Sequence, residues 1–469
     1  MSATVEELVQ ALTLEEKAGL CSGADFWRTK AVERLGIPAM MVSDGPHGLR
    51  TQKPGSENPN ESIEAVCFPA GCAAAASFDP TLTRRMGAAL GREARASGVG
   101  VVLGPAINIK RSPLCGRNFE YYSEDPFLAG ELAAGFIQGV QSEGVGACPK
   151  HFAANSQETR RMTADSRMDE RTLREIYLPA FETAVREGRP WTLMCSYNRL
   201  NGTYASENSL LLNEILRDEW GFTGFTMSDW GAVNDRVRGV AAGLDLEMPG
   251  SGGVNDEKLV QAVRSGALDE AVLDRAVTRI LNIVLQACDL AKTPAVFDRA
   301  ADHALAVDLA RESAVLVQNL GALPLHPGRK VAYIGAFAET PRYQGGGSSH
   351  VNTHAAVGAL AVARAKGRKV SYVEGFPADR DQRDEDEFLR AVNLAEEVDV
   401  AVIFAGLPEI FESEGADRRH MRLPDCQNNL IARVAAVQKN TVVVLHTGAP
   451  VECPWAGDVS AVLCMYLAG

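Results

Sequence analysis

The chain has 469 residues, 46% of them hydrophobic and 23% charged, which fills two cores and exceeds one ordinary domain. Its formal net charge of −13 sets up a field that repels nucleic acid and anionic membrane, and leaves a neutral, hydroxyl-rich small molecule as the partner that fits. No run approaches about 18 apolar residues, and the chain opens on an acidic amphipathic pattern rather than a basic region with an apolar core, so a cytoplasmic protein is expected.

Thr4 with Glu7, and Thr13 with Glu16, have the spacing in which each side chain accepts from the other's backbone N–H, which predicts short helices over 5–20. Short apolar runs ending in polar, Gly or Pro residues then recur at 39–43, 72–77, 99–103, 146–150, 192–196, 225–228 and 243–247, with helix patterns between them at 82–97, 127–143, 170–187 and 209–218. Strands alternating with helices at these intervals require a parallel sheet. The expectation is a (β/α)8-like TIM barrel over 1–291, irregular because no clear eighth strand follows and 256–290 reads as helix.

Residues 292–304, with Pro294 and mixed charges, read as a linker. A second α/β series fills 305–469, with strands at 330–334, 369–373, 398–405, 441–446 and 459–466 and helices near 303–319, 355–366, 384–397 and 426–438. It predicts a parallel-sheet α/β sandwich. The last strand pattern looks internal, yet no helix pattern follows it, so this domain reads as incomplete at its C-terminal end.

The ten cysteines are scattered through apolar runs and read as buried free thiols. Cys67 and Cys72 lack zinc-spaced partners, and His350 with His354 lacks further ligands, so no metal is expected. The run from Gln344 to Ser349 has neither G-x-G-x-x-G nor a Gly-Lys-Ser/Thr ending, and no cofactor is expected. The sequons at Asn60 and Asn201 carry little weight without secretion. Oligomeric state, homo-oligomers included, is left open.

The predicted strand ends carry polar groups that no core needs. Asp44 sits in a tight Gly-Pro turn, Arg117 follows the third strand pattern, Lys150 and His151 end the fourth, and Arg161 lies in the next loop. Met194 to Asn198, with Tyr197, ends the fifth, and Asp229-Trp230 ends the strand 225–228. In a parallel barrel the C-terminal strand ends build the active site. An acid, three cations, a tyrosine and an indole suit one pyranose ring, because charged groups bond strongly to hydroxyls and an indole packs on the sugar's C–H face.

Ser43-Asp44-Gly45-Pro46-His47-Gly48, Gly116-Arg117-Asn118-Phe119-Glu120, Lys150-His151-Phe152, Ser196-Tyr197-Asn198 and Ser228-Asp229-Trp230 occur in an order that resembles glycoside hydrolase family 3, in its β-glucosidase branch, over nearly the whole chain. The resemblance implies that Asp229 is the nucleophile and that Asp44, Arg117, Lys150, His151, Arg161, Met194, Tyr197 and Trp230 line the glycone subsite. It also implies an acid/base from the second domain, in Phe411-Glu412-Ser413-Glu414-Gly415, with Glu414 favoured over Glu412. A retaining exo-β-glycosidase acting on a small β-glucoside or oligosaccharide follows, with Lys150, Arg117 and Arg161 keeping Asp229 ionised and desolvation raising the pKa of Glu414.

Three rivals stand beside this reading. A β-N-acetylhexosaminidase of the same family would need a His after Lys-His-Phe-Pro-Gly, whereas Lys150-His151-Phe152 continues Ala153-Ala154-Asn155. A Schiff-base aldolase would need Lys150 in an apolar pocket. The non-enzyme alternative is a truncated, inactive sugar-binding protein, since relatives of this branch usually continue past the final strand. Within the enzyme reading, β-xylosidase or α-L-arabinosidase activity is the alternative to β-glucosidase.

Overall fold

The capping residues fold as their spacing predicts. Thr4 and Thr13 start the helices Val5–Ala11 and Leu14–Leu20 through reciprocal bonds with Glu7 and Glu16. Asp79-Pro80 and Asp125-Pro126 start the helices Pro80–Ala96 and Pro126–Ser142: the aspartate caps a free N–H, and the proline sits where its missing N–H costs nothing. The computed structural model describes residues 3–58, 60–293 and 295–469. Pro294, on which the linker reading leans, lies outside them.

Five short parallel strands form the barrel staves: β1 (Val42–Asp44), β2 (Val101–Leu103), β3 (Gly146–Ala147), β4 (Thr192–Cys195) and β5 (Phe225–Ser228). β1, β2 and β3 pair side by side, and β4 pairs with β5. Single bridges carry the ring further. Phe152 joins Cys195, Leu246 joins Met227, Glu247 joins Ser22, and an antiparallel Arg28–Met41 bridge returns the N-terminal segment toward β1. The barrel is therefore irregular, and 243–247 contributes bridges rather than a full strand.

The strand expected at 72–77 is instead the helix Gly71–Ala76. Four successive alanines offer a sheet little to bury and are the strongest helix formers. Gly71 lets this helix sit directly on the main chain of Glu120, since a Cβ there would lie 2.0 Å from the Glu120 carbonyl oxygen.

The second unit is a six-stranded sheet of β6 (Val315–Asn319), β7 (Val331–Ile334), β8 (Val370–Val373), β9 (Val400–Gly406), β10 (Thr441–His446) and β11 (Ala461–Cys464), in the order β8-β7-β9-β10-β11-β6. All pairs are parallel except β6 with β11. β9 is buried at every position, as suits an apolar strand with neighbours on both edges. β11 is internal, its outer edge taken by β6.

Two expectations are corrected here. The helix read at 303–319 runs Arg299–Glu312, and Val315–Asn319 is strand, because Val315, Leu316, Gln318 and Asn319 pair with the free edge of β11, with a bulge at Val317. The same helix starts inside the stretch read as linker, capped by Asp298. No described helix is long and apolar enough to cross a membrane. All ten cysteines are free thiols.

Gly71→Ala is expected to destabilise the fold by about 1–3 kcal/mol, because the clash is with backbone rather than a movable side chain. Gly457→Ala, where a Cβ meets nothing within 4 Å, is expected to be close to neutral. Thermal or denaturant unfolding of the two variants checks the contrast.

Candidate active site

The C-terminal ends of the staves converge on a buried chain of charges. Asp44, at the end of β1, accepts from Lys150 Nζ at 2.6 Å. Lys150 Nζ also lies 4.0 Å from Glu120, whose two oxygens take a bidentate pair of bonds from Arg117 at 2.9 and 2.8 Å. Arg117 is 1% exposed, and its remaining nitrogen reaches Glu414 Oε1 at 3.5 Å. Arg161 bonds the same oxygen of Glu414 at 2.7 Å and Glu158 Oε2 at 2.7 Å. Burial alone would push the Lys150 ammonium down, but Asp44 and Glu120 outweigh it and hold the amine above its ordinary value. Burial likewise opposes the charge on Arg117, and Glu120 and Glu414 hold it well above its ordinary value.

Asp229 follows β5 directly. Its Oδ1 accepts from the Trp230 N–H at 2.8 Å, while Oδ2 is buried, has no hydrogen-bond partner among the described residues, and lies 3.6 Å from His151 Nε2. His151 is held by Asn108, which accepts from its backbone N–H at 2.9 Å and donates to its carbonyl at 2.9 Å. That places Asn108 Oδ1 3.2 Å from Nδ1, so Nδ1 carries the hydrogen and Nε2 presents a lone pair to the pocket. Burial and the neighbouring Arg117 and Lys150 keep the imidazole neutral, well below its ordinary value.

The aromatic wall is built from three rings. Trp230 donates its indole N–H to the Phe26 carbonyl at 2.9 Å and packs against Trp27, centroids 5.6 Å apart. Tyr197 donates to the Trp230 carbonyl at 3.1 Å, and the Arg161 guanidinium lies 4.5 Å from its ring centre. Met194, 1% exposed, packs into the apolar cluster with Val42, Val101 and Phe225.

Glu412 and Glu414 face opposite ways. Glu412 turns into the second unit, where Oε1 accepts from the Gly448 N–H at 2.7 Å. Glu414 turns to the barrel, with Oε2 accepting from the Ser348 N–H at 2.7 Å and Oε1 between the two arginines. Seven of the eight predicted lining residues thus gather around Asp229 and Glu414, while Met194 lies in the apolar cluster of the staves. Sequence reasoning missed Asn108, Glu158, Phe26 and Trp27 as participants, and quoted Glu120 without a role. The buried acids could have been found by asking which carboxylates offset three buried cations.

The electrostatics run against the protonation expected from sequence. Burial dominates at Asp229 and pushes its carboxyl up to about 6, despite Arg117 and Lys150. Burial also pushes Glu414 up, but Arg117, Arg161 and the Ser348 N–H outweigh it and hold this carboxyl well below the ordinary range. The cations are engaged by Glu120, Asp44, Glu158 and Glu414, and Asp229 receives only what is left. Among the described residues no three His, Cys, Asp or Glu side chains converge to hold a metal ion.

Residues 8–283 match the glycosyl hydrolase family 3 N terminal domain, and residues 314–469 match its C-terminal domain. The chain belongs to glycosyl hydrolase family 3. All of this family 3 chain aligns at 55% identity with thermostable beta-glucosidase B of Acetivibrio thermocellus and at 45% with an exo-alpha-(1->6)-L-arabinopyranosidase of Bifidobacterium longum, and spans 63% and 64% of those proteins. It is similar to the crystal structure of a Bifidobacterium adolescentis GH3 beta-glucosidase, with TM-score 0.93 and 45% identity over 98% of this chain and 67% of that one. It also resembles beta-glucosidase 3B of Thermotoga neapolitana in complex with alpha-D-glucose, with TM-score 0.91 and 36% identity over 99% of this chain and 72% of that one.

A carboxyl whose folded pKa lies above its unfolded value contributes stability at low pH that is lost as pH rises through the folded value. Asp229 should therefore cost stability above about pH 6. Asp229→Asn, which keeps the acceptor for the Trp230 N–H, is expected to raise stability at pH 7.5 by roughly 1–3 kcal/mol and to change it little at pH 4. Melting curves of the variant and the native chain at the two pH values check this.

Proposed function

We propose that this chain carries the active site of an exo-acting, retaining β-glucosidase, which releases terminal β-D-glucosyl residues through a covalent glycosyl-enzyme. The observation that carries the reading is that Asp229, with one buried unpartnered oxygen, feels the charge of Glu414, which is brought from the other unit to Arg117. A retaining hydrolase needs two carboxyl groups on opposite sides of one glycosidic bond, about 5–5.5 Å apart.

In this mechanism Asp44 and Lys150 hold adjacent hydroxyls of the glucose, His151 Nε2 accepts from another, and the Trp230 face supports the ring. Asp229 Oδ2 attacks C1 while Glu414 gives its proton to the leaving oxygen, so the C1–O bond to the aglycone breaks as the C1–Oδ2 bond forms. Glu414 then takes a proton from water, the water oxygen bonds to C1, and Asp229 leaves as a carboxylate. The sugar serves the chemistry before any bond breaks: hydroxyls that take up the Arg161 and Arg117 donors draw them off Glu414 and weaken their hold on its ionised form, so that the one proton of the pair passes from Asp229 to Glu414. The leaving group has room in a cleft of about 690 Å³ beside Glu414, walled by Phe337, Pro341, Tyr343 and Ile410. Similarity to named beta-glucosidases supports glucose as the glycone.

p-Nitrophenyl β-glucoside is expected to be hydrolysed faster than p-nitrophenyl β-xyloside or α-L-arabinopyranoside, with the β anomer appearing first by NMR. Asp229→Ala is expected to abolish turnover, and Glu414→Ala to lose about 10²–10⁴-fold with azide restoring part of it as glucosyl azide. Equal activity in all three proteins, or an inverted first product, would overturn the assignment.

The pH dependence has a sign for each class of substrate. With 2,4-dinitrophenyl β-glucoside, which needs no acid, kcat/KM follows ionised Asp229 and is expected to rise as pH passes about 6. An alkyl β-glucoside needs one proton on the pair, which the free enzyme loses over the same range, so its kcat/KM is expected to fall there. A pH profile with both substrates checks the opposition.

A further inference from the structure

Glu414 lies on a loop of the second unit, and its distance from Asp229 depends on what holds that loop to the barrel. Asp417, three residues on, reaches across to two barrel loops. Its Oδ1 accepts from the N–H of Gly116 at 3.1 Å and of Glu158 at 2.9 Å, and its Oδ2 from the N–H of Glu158 at 3.1 Å and of Thr159 at 2.8 Å. Gly116 adjoins Arg117, and Glu158 and Thr159 lead to Arg161, the two barrel residues paired with the Glu414 carboxylate. Neighbouring bonds close the seam: Gly415 N–H donates to Glu158 Oε2 at 2.8 Å, and Arg418 N–H donates to the Leu114 carbonyl at 2.8 Å. The approach is close enough that a Cβ on Gly116 would lie 1.8 Å from the Ala416 carbonyl oxygen.

We infer that Asp417 is the positioning residue for Glu414, a carboxylate clamp that ties the acid/base loop to the backbone of the barrel loops carrying Arg117 and Arg161. The inference rests on the reading of Glu414 as acid/base, and adds a residue that does not touch substrate. Backbone N–H groups are the donors, so the clamp grips the main chain of both loops and fixes where the loop sits rather than any side-chain rotamer. A carboxylate receiving that many N–H bonds is a strong acceptor, and its loss would leave three donors of the seam without their partner.

The test measures kcat/KM of the native chain, Asp417→Ala, Asp417→Asn, Glu414→Ala and the double variant Glu414→Ala with Asp417→Ala, on phenyl β-glucoside and 2,4-dinitrophenyl β-glucoside. Displacement of a catalytic group by about 1 Å costs on the order of 100-fold. Asp417→Ala should therefore lose about 100-fold on phenyl β-glucoside, which needs its leaving group protonated, and less than about threefold on the dinitrophenyl substrate, which does not. The double variant should be no slower than Glu414→Ala alone, because a clamp acting through Glu414 has nothing left to position. Equal losses on both substrates, or losses that multiply in the double variant, would overturn the inference. Asp417→Asn keeps the Oδ1 acceptor and should fall between, and its failure to fold would mark a folding determinant and overturn the inference too.

An inactive native chain would count against the glucosidase reading alone, and the clamp has its own readout. Amide hydrogen exchange across 412–418 should speed up in Asp417→Ala while β9 and β10 stay protected. Unchanged exchange in that loop would overturn the clamp whatever the activity.

Discussion

The Arg117 guanidinium is the contact on which the site depends. It is buried at the mouth of the barrel between Glu120 of its own loop and Glu414 of the other unit. An isolated cation there would cost several kcal/mol of lost hydration, so the surrounding charges must compensate it. They do so as a chain of alternating sign, from Asp44 through Lys150, Glu120, Arg117, Glu414 and Arg161 to Glu158. Each cation is held between carboxylates. Asp229 stands beside the chain rather than within it, which is why burial outweighs attraction there and its carboxyl rises while that of Glu414 falls.

This arrangement links fold to chemistry. Asp44 lies in β1, Lys150 is bridged to Ala106 and Asp229 follows β5 directly, so all three are presented by backbone that ladder bonds or bridges already hold, and β4 and β5 are buried at every position. Among the described residues, Glu414 is tied to its own unit only through the 346–348 loop, where Gly346 bonds the backbone of Glu412 and Glu414 and the Ser348 N–H bonds Oε2. It sits on a loop after β9 and also makes contacts across the seam with Arg117, Arg161 and the barrel loops. The rigid carboxylate and the tethered one fit the two tasks proposed for them: a nucleophile must point at one carbon, while an acid/base group must serve a leaving group and then a water molecule.

Much of the fold was legible because its signals are local. Capping boxes at Thr4 and Thr13, Asp-Pro helix starts and apolar runs between Gly and Pro each act within a few residues. Errors arose where the deciding partner was distant. Cys72 to Ser77 is the exception, where a local signal, four successive alanines, was passed over and the segment is a helix resting on Glu120. Val315 to Asn319 continues a helical pattern, yet becomes strand because β11 offers it an edge. The site was legible to a similar degree: charged and aromatic residues at strand ends stood out because a core has no use for them, whereas Asn108 and Glu158 did not, since each acts through a neighbour far away in the chain.

From residue order alone came the alternation of strand and helix, the two-unit α/β architecture and the set of side chains that gather around Asp229, because periodicity and turn chemistry are written in neighbouring residues. Folding in three dimensions settled which carboxylates share Arg117, which way Glu412 and Glu414 face, and where the protons rest. Those outcomes depend on burial and on distances between segments a hundred or more residues apart, and neither quantity exists until the chain has closed on itself.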